Sequence, residues 1–191
     1  MRYGIDIGHN SPPDTGAVGG YEDELNLELA NKVIVKLALL GHETLIVNPK
    51  GRVRSVNESL KIRCENANAA KVERYISFHF NAFNKKARGV EIYYTSTAGM
   101  RIAKPVLEEI CKLSDSNGRK FTNRGIKKTS LFQVLNGTDA PAILIETCFC
   151  DNPEDMEIYR SISSDRVAIA IVKGLTGQDL KLNDQPCLYI E

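Results

Sequence analysis

The sequence has no tryptophan, only three histidines and five cysteines, and almost no net charge: 25 Lys+Arg stand against 24 Asp+Glu in 191 residues. Each scarcity removes a class of protein. A formal charge of +1 lacks the basic excess that a nucleic-acid or membrane-surface partner calls for. No apolar run approaches the ~18 residues of a membrane span, so no spanning segment is expected. Met1-Arg2 leads straight into Tyr3-Gly4-Ile5-Asp6-Ile7, which reads as a first strand, so no export leader is visible. The cysteines Cys64, Cys111, Cys148, Cys150 and Cys187 are odd in number and scattered. That argues against a disulfide framework and for reduced thiols. Any imidazole chemistry must draw on His9, His42 or His79.

What is present suits one domain that buries its own core, with no room for a second module of any size. A monomer is expected. Apolar, β-branched-rich segments recur at 2–7, 43–47, 74–80, 89–95, 130–135 and 142–147, most of them separated by stretches with helical spacing. The alternation predicts an α/β domain with a central, mostly parallel twisted sheet of about six strands and helices on both faces. A helix over 22–40 would place Leu27, Ala30, Ile34 and Leu37 on one face, with Gly41 as its stop. Further helices are expected over 57–70 (Leu60, Cys64, Ala67), 102–113 (Ile102, Val106, Ile110, Leu113) and 163–175 (Val167, Ala170, Ile171). Residues 176–191 have no period and read as a C-terminal extension or linker stub beyond a domain over 1–175.

Polar residues that break the pattern point to a site. His9 ends the first strand, and His79 shares its parity with Tyr75 and Ser77, opposite Ile76, Phe78 and Phe80. Both histidines therefore sit at the carboxyl ends of core strands, where open α/β sheets bind their ligands. A catalytic zinc takes three N, O or S ligands and keeps a fourth position for water. Two imidazoles leave one ligand to find, and the first helix opens with Glu22, Asp23 and Glu24. Residues two apart on a helix point ~200° from each other, so Glu22 and Glu24 cannot both face one crevice. The buried-strand run Ala142-Ile143-Leu144-Ile145 ends in Glu146, a carboxylate whose burial calls for a metal, cation or catalytic partner.

Six segments in order carry a resemblance: Ile5-Asp6-Ile7-Gly8-His9; Asp14-Thr15-Gly16-Ala17; the helix opening from Glu22 to Ala30; Ser77-Phe78-His79-Phe80-Asn81-Ala82; Gly89-Val90-Glu91; and Pro141 to Glu146 with Phe149 and Asn152 after it. Together, over about residues 2–175, they resemble the zinc-dependent N-acetylmuramoyl-L-alanine amidases of bacterial autolysins, cell-division amidases and phage endolysins. The resemblance implies that 1–175 is a catalytic domain, that His9, Glu22 and His79 are Zn2+ ligands, and that Glu146 is the catalytic carboxylate. It implies a peptidoglycan substrate, cleaved between N-acetylmuramic acid and the L-alanine of the stem peptide. Ile7, Asn10 and Phe80 depart from the usual pattern, and none of them removes a ligand. Thr147 to Asn152 is closer to the endolysin-like branch. A wall hydrolase without a leader would be released by lysis, or would have had its leader removed.

Other residues are assigned roles of lesser weight. Asn81, two residues beyond His79, is a candidate for substrate binding or for a plain turn hydrogen bond, and Asp6 a candidate support for His9 or a cap on the Gly16 loop. Arg119, Lys120, Arg124, Lys127 and Lys128 form the local basic cluster, read first as a solvated loop and second as a rim that would suit the carboxylates of a stem peptide. Cys148 and Cys150 are not expected to be thiolate ligands. The rival functions are a zinc-dependent carboxypeptidase, a non-catalytic peptidoglycan-binding relative, and a nucleotide-binding module using the loop from Gly16 to Gly20. That loop lacks the phosphate-binding glycine and lysine patterns, and Glu22-Asp23-Glu24 would repel phosphate.

Overall fold

The computed structural model describes residues 1–180. The chain runs β1 (Arg2–Ile7), α1 (Tyr21–Leu39), β2 (Glu43–Ile46), α2 (Val56–Ala69), β3 (Arg74–Asn81), β4 (Val90–Tyr94), α3 (Thr97–Lys112), β5 (Asn123–Lys128), α4 (Gln133–Asn136), β6 (Ala142–Phe149), α5 (Pro153–Ile162) and α6 (Ser164–Thr176). The strands form one sheet in the order β2-β1-β3-β6-β4-β5. All neighbouring pairs are parallel except β4 with β6. The exception follows from a short connection. A parallel return needs a crossover of a dozen or more residues, and the link 82–89 is shorter than that.

Strict alternation divides the sheet's side chains between two cores. Ile5, Ile7, Ile76, Phe78, Ile92 and Ile145 point to one face, where α1, α3, α5 and α6 cover them. Tyr75, Ala142 and Leu144 point to the other, under α2 and α4, with Tyr93 packed against them. Side-chain caps start several of these helices: Ser55 for α2, Ser96 for α3 and Asn152 for α5. On the α2 face the row nearest the carboxyl ends of β3 and β6 changes character, and the residues there are His79 and Glu146.

Two expectations are corrected, and one helix is added to them. The predicted strand at 130–135 is a loop running into α4, and the strand is β5, five residues of which precede that segment's start by more than two positions. On α1 the buried stripe is Leu25, Leu29, Ala30, Val33 and Leu37, while Leu27 is exposed, so the face is rotated from the one expected. Helix α5 was not anticipated at all. The proposed C-terminal extension over 176–191 lies mostly outside the described residues.

Candidate active site

The loop that follows β1 turns sharply. His9 and Asn10 both have left-handed backbone, φ 56° and 55°, a region that non-glycine residues seldom occupy. Asn10 Nδ2 donates to the Gly8 and Asp23 carbonyls at 2.9 and 3.0 Å. Asn48 Nδ2 donates to the Ile7 carbonyl at 2.7 Å. Arg63 of α2 is 1% exposed and reaches under the loop, donating to Asp6 Oδ1, to the Ile7 and His9 carbonyls and to Ser11 Oγ. A buried guanidinium with this many acceptors is fully satisfied, so it can act as a rigid pin.

The turn carries the His9 ring into a cluster. The ligand atoms of His9, Glu22 and His79 all lie within 4.8 Å of one another. Glu22 Oε1 is 3.3 Å from His9 Nε2 and 3.1 Å from His79 Nδ1. Its Oε2 accepts from the Ala17 backbone N–H at 2.8 Å. The two imidazoles meet edge to face, 4.9 Å between centroids. The first turn of α1 is thereby sorted: Glu22 is buried in the cluster, Asp23 accepts from the Gly16 N–H at 2.9 Å, and Glu24 is exposed. Gly8 is required by packing, because a Cβ there would stand 2.5 Å from the His79 ring.

Glu146 lies beside His79 across the β3/β6 pair. Its Oε2 is buried and has no hydrogen-bond partner. Burial pushes its carboxyl up to about 7; Glu22 and Glu91 add to this, while His79 and His9 oppose it. Glu22 behaves oppositely. Burial works against its charge, but hydrogen bonds from His79 and His9 outweigh that and hold it well below the usual carboxylate range. For His9, too, burial opposes charge, yet Asp14 and Glu22 raise its pKa to about 10. All four groups line a cavity of about 530 Å³, with Asn81, Val56, Leu60, Leu131 and Phe132 among its other walls.

The structure thus brings together His9, Glu22, His79 and Glu146, and sets Asn81 in the same cavity. It does not place Asp6 on His9. Asp6 pairs instead with Arg63 and accepts from Ser77 Oγ at 2.6 Å, while Asp14 Oδ1 contacts His9 Nδ1 at 3.0 Å. Sequence reasoning missed Asp14, Arg63 and Glu91. Asp14 had a usable signal, its place in the turn directly after a ligand candidate; Arg63, flanked by the apolar positions of α2, had none. The basic cluster divides: Arg119 pairs with Asp115 and Glu157, whereas Arg124 and Lys127 turn to Glu91. Cys148 and Cys150 are buried free thiols outside the ligand cluster.

An open α/β sheet that gathers two imidazoles and two carboxylates in one cleft defines a class of α/β domain with a donor set suited to a metal. Within that class, the sequence matches the N-acetylmuramoyl-L-alanine amidase family over residues 4–177, and the chain belongs to that family. It is 32% identical over 175 residues to the N-acetylmuramoyl-L-alanine amidase LytC of Bacillus subtilis, covering 89% of this chain and 34% of that protein. The catalytic domain of the CD27L endolysin targeting Clostridia difficile superposes with a TM-score of 0.82 at 26% identity, covering 95% of this chain and 99% of that domain. An N-acetylmuramoyl-L-alanine amidase from Clostridium difficile 630 superposes with a TM-score of 0.76 at 29% identity, covering 93% and 95%. The chain spans about half the length, or less, of the first curated relatives it matches.

Proposed function

We propose that this chain is a zinc-dependent N-acetylmuramoyl-L-alanine amidase that acts on cell-wall peptidoglycan, with residues 1–175 as its catalytic domain. The observation that carries this is the convergence of His9, Glu22 and His79 within 4.8 Å, beside a carboxylate oxygen of Glu146 that is buried and unpartnered. Two imidazoles and a carboxylate are a donor set suited to zinc with a position left open, and the orphaned Glu146 oxygen calls for a partner from outside the protein. His9, Glu22 and His79 would hold the ion. When bound, zinc supplies Lewis acidity, lowering the pKa of a water and polarising the amide carbonyl.

The remaining chemistry falls to the chain. Glu146 is the general base that takes a proton from the attacking water, and a carboxyl poised near neutrality can hold it. It then delivers that proton to the departing L-alanine amine, which cannot leave unprotonated. Asp14 keeps the His9 ring turned so that Nε2 faces Glu22. Leu60, Val134 and Leu144 make part of the cavity wall apolar, which leaves the carboxylate in a weakly polar surround that favours its protonated form.

The test is mass spectrometry of muropeptides after digestion. The wild type is expected to yield intact sugar and free stem peptide beginning at L-alanine, Glu146→Gln to lose at least ~10²-fold in rate, and chelation to abolish a rate that added zinc restores. Trimmed stem peptides still attached to muramic acid would identify a carboxypeptidase instead, and no product would overturn the reading.

A further inference from the structure

The strand next to Glu146 holds a charge arrangement that the hydrolysis above does not use. Glu91 of β4 is the register partner of Glu146 and is 2% exposed. It accepts from Asn81 Nδ2 at 3.1 Å, from Tyr93 Oη at 2.6 Å, from Arg124 Nε at 2.6 Å and from Lys127 Nζ. Burial opposes the charge of Glu91, but Lys127, Tyr93 and Arg124 hold its carboxyl below the usual range. One ionised carboxylate therefore faces two cations. Elsewhere among the described ion pairs, an acid shared by two bases has a second acid to balance it. Asp165, held by Lys32 and Lys36, is joined by Glu28, and Glu109, held by Lys112 and Lys173, is joined by Asp179. At Glu91 no second acid is paired among the described residues, so the two cations share one ion-pair partner.

Both cations are held in place. The Arg124 guanidinium lies 5.0 Å from the centroid of the Phe149 ring, and Lys127 Nζ 5.6 Å from that of Tyr93. About a third of each side chain stays open to solvent. Arg124 commits Nε to Glu91, and among the described residues its Nη2 has no protein partner. The cluster adjoins the catalytic cavity: Asn81 lines that cavity while bonding Glu91, and Phe132, another wall residue, packs on Tyr93 with 5.0 Å between centroids. On the α2 side the cavity wall includes the apolar Val56 and Leu60 beside Asn57 and Arg63. Positive charge thus stands on the β4/β5 flank of the cleft.

We infer that Arg124 and Lys127 form a carboxylate-binding subsite that seats the peptide limb of the substrate, with Glu91 as the positioning residue that holds both cations. The inference rests on the amidase reading for the identity of the ligand. A peptide carboxylate suits the free guanidinium and ammonium hydrogens, and the aromatic rings beneath keep the two groups from swinging away.

The experiment measures binding apart from catalysis. Isothermal titration of the whole chain compares the free stem peptide L-Ala-γ-D-Glu-L-Lys with the same peptide whose glutamyl carboxyl is amidated. The wild type is expected to bind the free acid about tenfold tighter or more, and Arg124→Gln and Lys127→Gln each to shrink that ratio. Arg124→Lys, which keeps the charge, is expected to restore part of it. Each single variant leaves Glu91 one cation, and thermal melting verifies that it is folded. Equal affinity for the two peptides in the wild type, or a ratio unchanged in both Gln variants, overturns the subsite. The same ratio in kcat/KM on muropeptides separates the two readings: discrimination in binding without cleavage at the muramoyl amide would leave the subsite standing and sink the amidase.

Discussion

At His9 three demands meet on one residue. The backbone must turn left-handed to aim the ring, Arg63 must take its carbonyl, and Asp14 must fix its tautomer. A carboxylate on Nδ1 keeps a proton there and leaves Nε2 free to ligate, and such partners typically support metal affinity by roughly 10–100-fold. Asp14→Asn is therefore expected to weaken zinc binding by about that factor in competition with a chromogenic chelator. Unchanged affinity would show that Asp14 serves only the loop. A pH effect follows from the same contacts. In the metal-free chain the His9 pKa stands at about 10, so the ring is charged at neutral pH. Its charge stabilises the metal-free fold fully below the unfolded histidine value of ~6.5, and that contribution is lost as pH rises through the folded value. Zinc requires the neutral ring, so binding at pH 7.5 must expel a proton. Titration calorimetry in buffers of different ionisation enthalpy is expected to find about one proton released per zinc, with affinity rising as pH is raised. Release of none would mean that His9 is already neutral.

At the level of elements, legibility depended on how much of each element is buried. β1, β3 and β6 are apolar on the covered face and were readable as core strands, and with them the places of His9, His79 and Glu146. β5 was not, because Asn123-Arg124-Gly125-Ile126-Lys127-Lys128 is an edge strand that packs Ile126 against the core and turns its other side chains to Glu91 and solvent. The apolar run Leu131 to Leu135 imitates a strand, yet Leu131 is 88% exposed at the cavity, while Val134 and Leu135 are the buried residues of α4 and pack into the smaller core. α1 was misoriented because its inner face carries Glu22, Asn26 and Lys36, so hydrophobicity alone pointed to the wrong stripe. The choice of Glu22 over Glu24 came from the resemblance and not from periodicity. Helix packing supplies a prediction here. α6 crosses α3 at Gly174, where an added Cβ would stand 2.4 Å from Val106 Cα. Gly174→Ala is expected to destabilise the fold by ~1–3 kcal/mol through overpacking in spite of the better helix propensity of alanine. Chemical denaturation measures it, and a neutral or stabilising result would mean that the two helices separate freely.

For the whole molecule, the proposed ligand set is a report on tertiary structure. His9 follows β1, Glu22 belongs to the first turn of α1 and His79 to β3, so the three donors meet only when those elements have assembled. An unfolded chain offers no comparable site, and an ion that binds the folded state alone stabilises it by mass action. At free zinc one hundred times the dissociation constant the gain is about 2.7 kcal/mol. For a domain of this length each kcal/mol raises Tm by roughly 2–4 °C, so an increase on the order of 5–10 °C is expected in thermal melts. The variants make the measurement specific. Glu146→Gln removes no ligand and is expected to keep the zinc-dependent rise even though its activity is lost. His79→Ala removes one ligand and is expected to lose most of the rise. A rise of equal size in both variants would place the stabilising ion somewhere other than the cluster of His9, Glu22 and His79.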